Sequence, residues 1–391
     1  MFASRIASDL APNRLTEVLR HRRTAGELVI DLTESNPTRV GLVYPKDLLA
    51  SLADCRGLTY APQPFGIMEA RRAVASDYQR RGIATSPDRV AVTASTSEAY
   101  SLLFKLLAAP GDEILVPRPS YPLFDHLTAL DGLVARPYDL EYNGVWSIDF
   151  TSLDRALGPR TRAVLVVNPN NPTGSFASQD ELDRLATVCA RLGVALIADE
   201  VFADYELEPG AASRAAPMLT RDDVLLFALG GLSKSIGLPQ VKLGWIATAG
   251  PDGLVDAALR RLELICDTYL SVSTPVQLAA AELLDRGACI RTQITARIIA
   301  NYRQLRDLAA RVPSCRVLHA AGGWSAIVQV PTFRSEEELV VDLVSQAGVL
   351  THPGYFFDFP RESFLILSLL PPEQSFADGV GRMLARVVQA V

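Results

Sequence analysis

The chain has 391 residues, which is too long for one ordinary domain and predicts two or three. Hydrophobic residues make up 49% and charged residues 21%, so the chain can bury a large core and is not disordered by composition. The net charge is −6, from 38 basic and 44 acidic residues, and the basic residues are scattered, which argues against nucleic-acid and membrane partners. Five widely spaced cysteines without a CxxC pair predict reduced thiols in a cytoplasmic protein, with neither a disulfide frame nor a metal site.

Residues 1–45 are predicted to hold a short helix at Arg14–Arg23 and a turn-rich loop at Glu34–Thr38, as an arm that joins the smaller domain. Seven apolar runs of strand length follow, mostly separated by helix-sized intervals. This alternation predicts an α/β fold with a seven-stranded, mainly parallel sheet in a large domain over residues 46–275. The seven runs are Val90–Thr93, Glu113–Pro117, Leu133–Pro137, Ala163–Val167, Val194–Ala198, Val224–Ala228 and Leu243–Ala247.

Two helix starts carry a recognisable signal, because Ser95–Glu98 and Ser178–Glu181 both match the capping box that satisfies free amides at a helix N-terminus. Beyond about Ser271 the pattern changes to long helical stretches and one strand-like run. We therefore predict a smaller α+β domain over residues 276–391. The elements behind this prediction are Val276–Arg286, Thr292–Ala310 and Ala326–Pro331.

Three segments combine an apolar strand with polar residues directly after it: Val166–Gly174, Val194–Glu200 and Leu225–Ser235. Each segment has an explanation that involves no ligand. The first can be a turn, the acids of the second can cap a helix or face solvent, and the lysine of the third can lie on the surface. The alternative is a ligand site, because ligands of open α/β sheets bind beyond the carboxyl ends of the strands. Apolar and small residues surround Lys234 in the sequence, which favours a desolvated amine suited to Schiff-base chemistry.

Occurring together and in this order, the segments resemble the class I and II aminotransferases, which are fold-type I pyridoxal-phosphate-dependent enzymes. The resemblance extends from Asp31–Pro37 to His352–Gly354 and so covers most of the chain. It implies pyridoxal 5'-phosphate as cofactor, a small amino donor and a 2-oxo acid as substrates, and a homodimer.

The resemblance also implies the roles of four residues around the cofactor ring. Lys234 would hold the cofactor as an imine and carry protons to and from the substrate. Asp199 would pair with the protonated pyridine nitrogen and keep the ring an electron sink. Asn171 would donate to the phenolate oxygen and adjoin the substrate, and Tyr121 would stack on the ring.

The cofactor phosphate is expected where a capped helix begins, because free backbone amides and the positive helix end attract anions. A tyrosine from the partner subunit reaches this phosphate in the family's dimers, and Tyr60 is the candidate here. The remaining residues that the resemblance assigns to cofactor binding are Ser95, Thr96, Ser97, Ser233 and Lys242.

The chain departs from the family pattern at four positions. Phe202 replaces a tyrosine that donates to the phenolate oxygen, and Gly231 replaces a phosphate-binding serine. Lys242 replaces an arginine and keeps the charge without the bidentate fork. Ile366 stands where the arginine for the substrate α-carboxylate is expected, and an apolar side chain cannot form that ion pair.

Another cation is therefore needed if the substrate is an amino acid. Arg39, after the loop that matches the family's substrate-covering segment, is the first candidate, and Arg361 is the second; both have the alternative of being surface arginines. The aromatic run Tyr355–Phe357 suits either an apolar substrate pocket or core packing.

These observations predict a pyridoxal-phosphate-dependent aminotransferase that works by ping-pong transfer of an amino group from an amino acid or related amine to a 2-oxo acid. The missing arginine keeps a lyase, decarboxylase or cyclase of the same fold as an alternative. A cofactor-binding protein without turnover is the other alternative, although both Lys234 and Asp199 are present.

Overall fold

Helices and strands alternate through most of the computed structural model, which describes residues 3, 5, 6, 11–210 and 218–389. The helices are α1 Arg14–Thr24, α2 Met68–Arg80, α3 Thr96–Leu107, α4 Phe124–Leu130, α5 Phe150–Ala156, α6 Gln179–Leu192, α7 Leu232–Ser235, α8 Asp252–Tyr269, α9 Thr274–Arg286, α10 Ala288–Ala309, α11 Glu336–Asp342 and α12 Glu373–Gln389. The strands are β1 Ile30–Asp31, β2 Val90–Thr93, β3 Glu113–Arg118, β4 Val134–Tyr142, β5 Trp146–Ile148, β6 Thr161–Val167, β7 Ala195–Asp199, β8 Leu226–Gly231, β9 Gly244–Ala249, β10 Arg316–Val317, β11 Ser325–Gln329, β12 Val349–Leu350, β13 His352–Pro353 and β14 Phe364–Ser368.

The central sheet has the strand order β2-β9-β8-β7-β6-β3-β4-β5. Strands β4, β3, β6, β7 and β8 pair in parallel, and β9 runs antiparallel to both β8 and β2. All seven predicted strands are present, but the predicted number is wrong because the sheet has eight strands. The eighth is β5, which pairs antiparallel with the end of β4 through a turn at Asn143-Gly144. Three residues are too few to give an apolar run, and only the Asn-Gly hairpin signal marks this strand.

Burial on both faces explains the continuous apolar runs of the inner strands. In β6, Ala163, Leu165 and Val167 pack into a core on one face that also contains residues of α3 and α8. Val164 and Val166 pack into the core on the other face, with residues of α2, α5 and α6. A strand covered by helices on both faces is apolar at every position, as expected for a parallel sheet.

The C-terminal part forms a smaller antiparallel sheet in the order β10-β11-β14-β13. The N-terminal strand β1 pairs in parallel with β12, so residues Ile30 and Asp31 join the C-terminal part of the chain. The predicted helices and strand beyond Ser271 correspond to α9, α10 and β11. Among the described residues, no helix is long and apolar enough to cross a membrane.

The directions of the strands indicate at which edge of the central sheet a ligand site is expected. Strands β2, β3, β6, β7 and β8 run in the same direction, because β2 and β8 are both antiparallel to β9. Their carboxyl ends therefore lie at the same edge, where ligands bind in open α/β sheets. The polar segments singled out from the sequence all follow these five strands.

Candidate active site

Lys234 lies in the one-turn helix α7, directly after β8 ends at Gly231. Its Nζ is 5.7 Å from the ring centroid of Phe202 and 5.2 Å from that of Trp324. Burial lowers the pKa of the Lys234 amine, and the charge of Asp199 opposes this shift. The hydroxyl of Tyr205, a residue that sequence reasoning missed, donates to the Lys234 carbonyl at 2.5 Å and fixes the backbone there. Lys234 is therefore not an ordinary surface lysine.

Asp199 ends β7 as a buried carboxylate with two donors among the described residues. The Tyr100 hydroxyl donates to Oδ2 at 2.6 Å, and the Val201 amide donates to Oδ1 at 3.1 Å. Burial raises the pKa of Asp199, while the Tyr100 bond is the strongest influence that lowers it, and Lys234 also lowers it. A buried carboxylate in this state favours a cationic partner.

Tyr100 was also missed, although a buried tyrosine on the core face of α3 needs a partner for its hydroxyl. The second acid after β7 has a different place. Glu200 is buried and forms an ion pair with Arg81 at 3.1 Å, across 119 residues of sequence. Asp199 therefore belongs to the candidate site, whereas Glu200 helps to pack α2 on the sheet.

In the Asn/Pro/Gly loop after β6, one asparagine holds the turn together and another has an amide donor with no partner among the described residues. Asn170 accepts from the Thr173 hydroxyl at 3.0 Å and donates to Ser120 at 3.1 Å, so this asparagine holds the turn. Asn171 accepts a hydrogen bond from the Ser325 hydroxyl at 3.0 Å, and its Nδ2 donates to no group among the described residues. The loop therefore leaves one amide donor available beside β11.

Contacts of the same loop with the segment before β11 join the two parts of the chain. The Gly174 carbonyl accepts from the amides of Ala321 and Gly322 at 2.9 and 2.8 Å. Gly174 has φ +66°, and a Cβ there would lie 2.5 Å from the Gly322 carbonyl, so this position requires glycine. Asn171 and Trp324 are consequently held in fixed relation.

Ser95 caps α3 and accepts from the Glu98 amide at 3.1 Å, as the sequence predicts. The Glu98 carboxylate bonds the amide of Ala94, not that of Ser95, so the capping box is incomplete, whereas that at Ser178 is complete. The first amides of a helix have no intrahelical acceptor. Those of Thr96 and Ser97 are accordingly suited to an anion.

Close packing explains the missing serine at Gly231. A Cβ on Gly231 would lie 3.1 Å from the Leu243 carbonyl and 3.2 Å from Gly244 Cα, so a side chain has little room there. A Cβ on Gly244 would in turn lie 3.0 Å from the Ser95 carbonyl carbon. The start of α3 therefore lies against β9. Lys242, two residues before β9, is exposed.

Tyr121 follows β3 and packs edge-on against Phe124 with ring centroids 5.7 Å apart. Burial and the charge of Asp199 raise the pKa of Tyr121, which places it near that carboxylate. Tyr60 is 78% exposed and makes no contact with these groups within the described residues of one chain. Its predicted contact with a partner's phosphate stays a prediction.

The wall at Ile366 is apolar. Ile366 is 1% exposed and pairs with Ile327 of β11 and His352 of β13, in a core cluster that also contains Phe357. Phe357 therefore belongs to core packing. Burial lowers the pKa of His352, with the charge of Asp31 opposing, so this histidine favours its neutral form.

The two candidate replacement arginines are both exposed. Arg39 ends a short 3-10 helix, Pro37–Arg39, that Asn36 caps. The next residue is held by Arg297, whose Nη1 donates to the carbonyls of Val40 and Leu370, each at 3.2 Å. Arg39 therefore lies close to the end of β14, and its guanidinium has no partner among the described residues. Arg361 lies over the Phe364 ring at 5.6 Å.

A mainly parallel sheet that carries a lysine, a buried carboxylate and a helix N-terminus beyond the carboxyl ends of its strands agrees with the fold-type I architecture, in which ligands bind at that edge. The family model for aminotransferase class I and II matches residues 28–375. The chain belongs to the class I and II aminotransferase family, and it is an aminotransferase.

Similar proteins include aminotransferases and a lyase. A glutamate-pyruvate aminotransferase of Haemophilus influenzae is 26% identical over 92% of this chain and 90% of its own length. An S-alkyl-thiohydroximate lyase of Arabidopsis thaliana is 33% identical over 59% of this chain and 50% of its own length. The solved alanine aminotransferase of Pyrococcus furiosus has the same fold, with a TM-score of 0.89 at 24% identity and full coverage of both chains.

Proposed function

We propose that the protein binds pyridoxal 5'-phosphate through Lys234 and moves an amino group from an amino acid or related amine to a 2-oxo acid in ping-pong order. The observation that carries the proposal is the Lys234 amine, whose pKa is lowered by burial next to a buried carboxylate. A neutral amine is the form that attacks an aldehyde. Membership of a pyridoxal-phosphate-dependent family supports the same cofactor.

The residues present fit this cofactor in four ways. The buried carboxylate of Asp199 lacks a full counter-charge and suits a protonated pyridine nitrogen. The first amides of α3 suit the phosphate, and Lys242 adds a positive charge. Asn171 has a free amide donor for an oxygen anion. Tyr121, near Asp199, offers an aromatic face.

Each step can be assigned to a residue of this chain. When bound, the cofactor supplies an electron sink for the electron pair left on the substrate Cα. Lys234 Nζ accepts the proton that leaves the Cα and donates one when the amino group changes carrier. Asp199 holds the pyridine proton in place, and the hydroxyl of Tyr100 orients that carboxylate. The aromatic rings of Phe202 and Trp324 keep water from the amine.

Borohydride reduction followed by peptide mapping tests the attachment site. The chain has four lysines, at positions 46, 105, 234 and 242, so the labelled peptide identifies the residue. We expect label on Lys234 alone, and no turnover after Lys234→Ala. Lys105→Ala, which removes a lysine that pairs with Asp131, is the matched control and should retain activity. Label on another lysine would refute the proposal.

A product assay separates transamination from the alternatives. The same assay checks the lyase, decarboxylase or cyclase alternative of the sequence analysis, which arises because Ile366 removes the expected carboxylate partner. Relatives named for alanine and glutamate-pyruvate exchange make small amino donors and pyruvate the first substrates to test. Transamination requires that the donor yields its 2-oxo acid and that the acceptor yields an amino acid in equal amounts. Donor loss without acceptor conversion would favour a lyase, and cofactor binding without either would favour the non-catalytic alternative.

We propose that Arg39 binds the substrate α-carboxylate. Its guanidinium is unpaired, and the loop that carries it is held next to the end of β14. Arg39→Ala is expected to lower kcat/KM for amino acids by about 2–5 kcal/mol, the range for truncating one partner of a charge pair that becomes buried when the substrate binds. Amines without a carboxylate should react as before. Arg361→Ala is the control, because Arg361 is equally exposed; an equal loss there would refute the assignment.

We also propose a homodimer in which Tyr60 reaches the partner's phosphate. Leu58 is 91% exposed and Tyr60 78%, which is unusual for neighbouring large apolar side chains. Sedimentation should give a dimer, and Tyr60→Phe should weaken cofactor retention, while Tyr269→Phe, an exposed control, should not. An active monomer would contradict the proposal. The five cysteines are unpaired, which supports a reducing, cytoplasmic location.

A further inference from the structure

The indole N–H of Trp324 is buried and has no acceptor among the described residues. Trp324 is 3% exposed, and its Nε1 is a donor that cannot act as an acceptor. The fully buried Trp245 shows the usual arrangement, because its Nε1 donates to the Tyr78 hydroxyl at 3.3 Å. Buried N–H groups are rarely left without a partner, so the orphan group at Trp324 requires an explanation.

The Trp324 ring cannot simply turn toward water. Its carbonyl accepts from the Leu369 amide at 2.7 Å, and the preceding residue, Gly323, donates to the Tyr205 carbonyl at 2.9 Å. The ring packs edge-on against Phe202 and Tyr205, with centroids 5.3 and 5.1 Å away. Backbone and ring are thus held by both the large sheet and the C-terminal part of the chain.

The groups around the ring supply no acceptor for this N–H. Phe202 has no polar atom, and the Tyr205 hydroxyl, which donates toward the carbonyls of Lys234 and Ser235, does not accept from the Trp324 N–H. The Lys234 amine lies 5.2 Å from the Trp324 ring and makes the surroundings favourable to negative charge. An anionic oxygen of a ligand bound beside Lys234 would supply the acceptor that the Trp324 N–H lacks.

We propose that the Trp324 indole N–H donates a hydrogen bond to an oxygen anion of the ligand held at Lys234. The inference rests on the proposed function, which brings a ligand to that lysine. Two oxygen anions enter such a site, namely the phenolate of pyridoxal 5'-phosphate and the carboxylate of an amino acid. In either case the Trp324 N–H would supply a donor that the family pattern has and this chain lacks, at Phe202 for the phenolate or at Ile366 for the carboxylate.

Two substitutions remove the N–H. Trp324→Phe keeps an aromatic ring, and replacement of Trp324 by 3-benzothienylalanine keeps the ring shape with sulfur in place of N–H, so packing is preserved. Trp146→Phe is the control, because Trp146 Nε1 is also unpartnered but its ring packs on Tyr142 and Phe359. All variants are loaded with pyridoxal 5'-phosphate and compared with the wild type.

Three measurements distinguish the cofactor phenolate from the substrate carboxylate as the acceptor. If the acceptor is the phenolate, the pH midpoint of the bound cofactor's visible absorption rises by about one unit, because a hydrogen bond to the charged form is lost. Cofactor dissociation also becomes about tenfold faster. If the acceptor is the carboxylate, both stay unchanged, and KM rises about tenfold for amino acids but not for amines.

An unchanged midpoint, dissociation rate and KM in the benzothienyl variant would overturn the inference. So would equal changes in Trp146→Phe. Failure of the proposed function is distinguishable, since in that case the wild type itself would not be labelled at Lys234 by borohydride.

Discussion

Replacing Tyr100 by phenylalanine tests the electrostatic core of the site through a residue outside the family motifs. The Tyr100 hydroxyl donates to Asp199 Oδ2 at 2.6 Å, and its ring packs against Phe104 and Phe124. Tyr100→Phe preserves these ring contacts and removes only the hydroxyl. Asp199 then retains a single donor among the described residues, the amide of Val201.

The expected magnitude follows from the value of one charged hydrogen bond, about 1.5–3 kcal/mol. Burial already raises the pKa of Asp199, and the Tyr100 bond is the strongest opposing influence, so its loss raises that pKa further. The charged carboxylate is the form that stabilises a proton on the pyridine nitrogen. We expect kcat/KM to fall by about 10- to 150-fold, with weaker cofactor binding.

Steady-state kinetics and equilibrium dialysis of pyridoxal 5'-phosphate measure the two effects. Tyr138→Phe is the matched control, because Tyr138 is equally buried and its hydroxyl donates to the Leu165 carbonyl at 2.9 Å, away from Asp199. Both variants should lose stability to denaturant, but only Tyr100→Phe should lose activity. If kcat/KM of Tyr100→Phe equals that of the wild type, the hydroxyl serves packing alone and the reasoning is wrong.

Three further predictions follow from single contacts. Asp199→Asn should cost at least about 3 kcal/mol in kcat/KM, because an amide cannot stabilise the pyridine proton, and a loss below tenfold would contradict this role. Gly231→Ser should lower the free energy of unfolding in urea by about 1–3 kcal/mol, since its Cβ meets the Leu243 carbonyl; Gly253→Ser, with no atom within 4 Å, is the control. His352→Gln should flatten the fall in thermal stability below the ordinary pKa of 6.5, because burial lowers the pKa of His352 and the unfolded chain binds the proton first. Melting curves from pH 8 to 5 check this, and parallel profiles would refute it.

The inner strands of the sheet could be predicted because burial on both faces leaves only apolar residues between turns. Strand β5 could not, since its three residues at Trp146–Ile148 are half-buried and gain their place by pairing with β4. Domain limits at 45 and 275 stay predictions. The pairing of Ile30 with Val349 shows why such limits are difficult to infer, as it depends on residues more than 300 positions apart.

The sequence could predict that the candidate site residues stand directly after apolar strands. The family resemblance selects Lys234 and Asp199, but the sequence does not predict the place of Glu200. Glu200 is held by Arg81, the residue that follows α2. Trp324 is likewise absent from the predicted site, because its contact with Phe202 joins segments that only the tertiary fold brings together.

Two of the departures from the family pattern change the site in the same way, because each makes it more apolar. Phe202 and Ile366 both put hydrocarbon where the pattern has a polar side chain, while the buried carboxylate of Asp199 is kept. Desolvation is what lowers the pKa of the Lys234 amine, so an apolar wall favours the neutral nucleophile. The same wall removes donors for anions, which makes the site depend on the few donors left, Trp324 among them. Substitutions at those donors should therefore affect ligand binding more than the reactivity of the lysine.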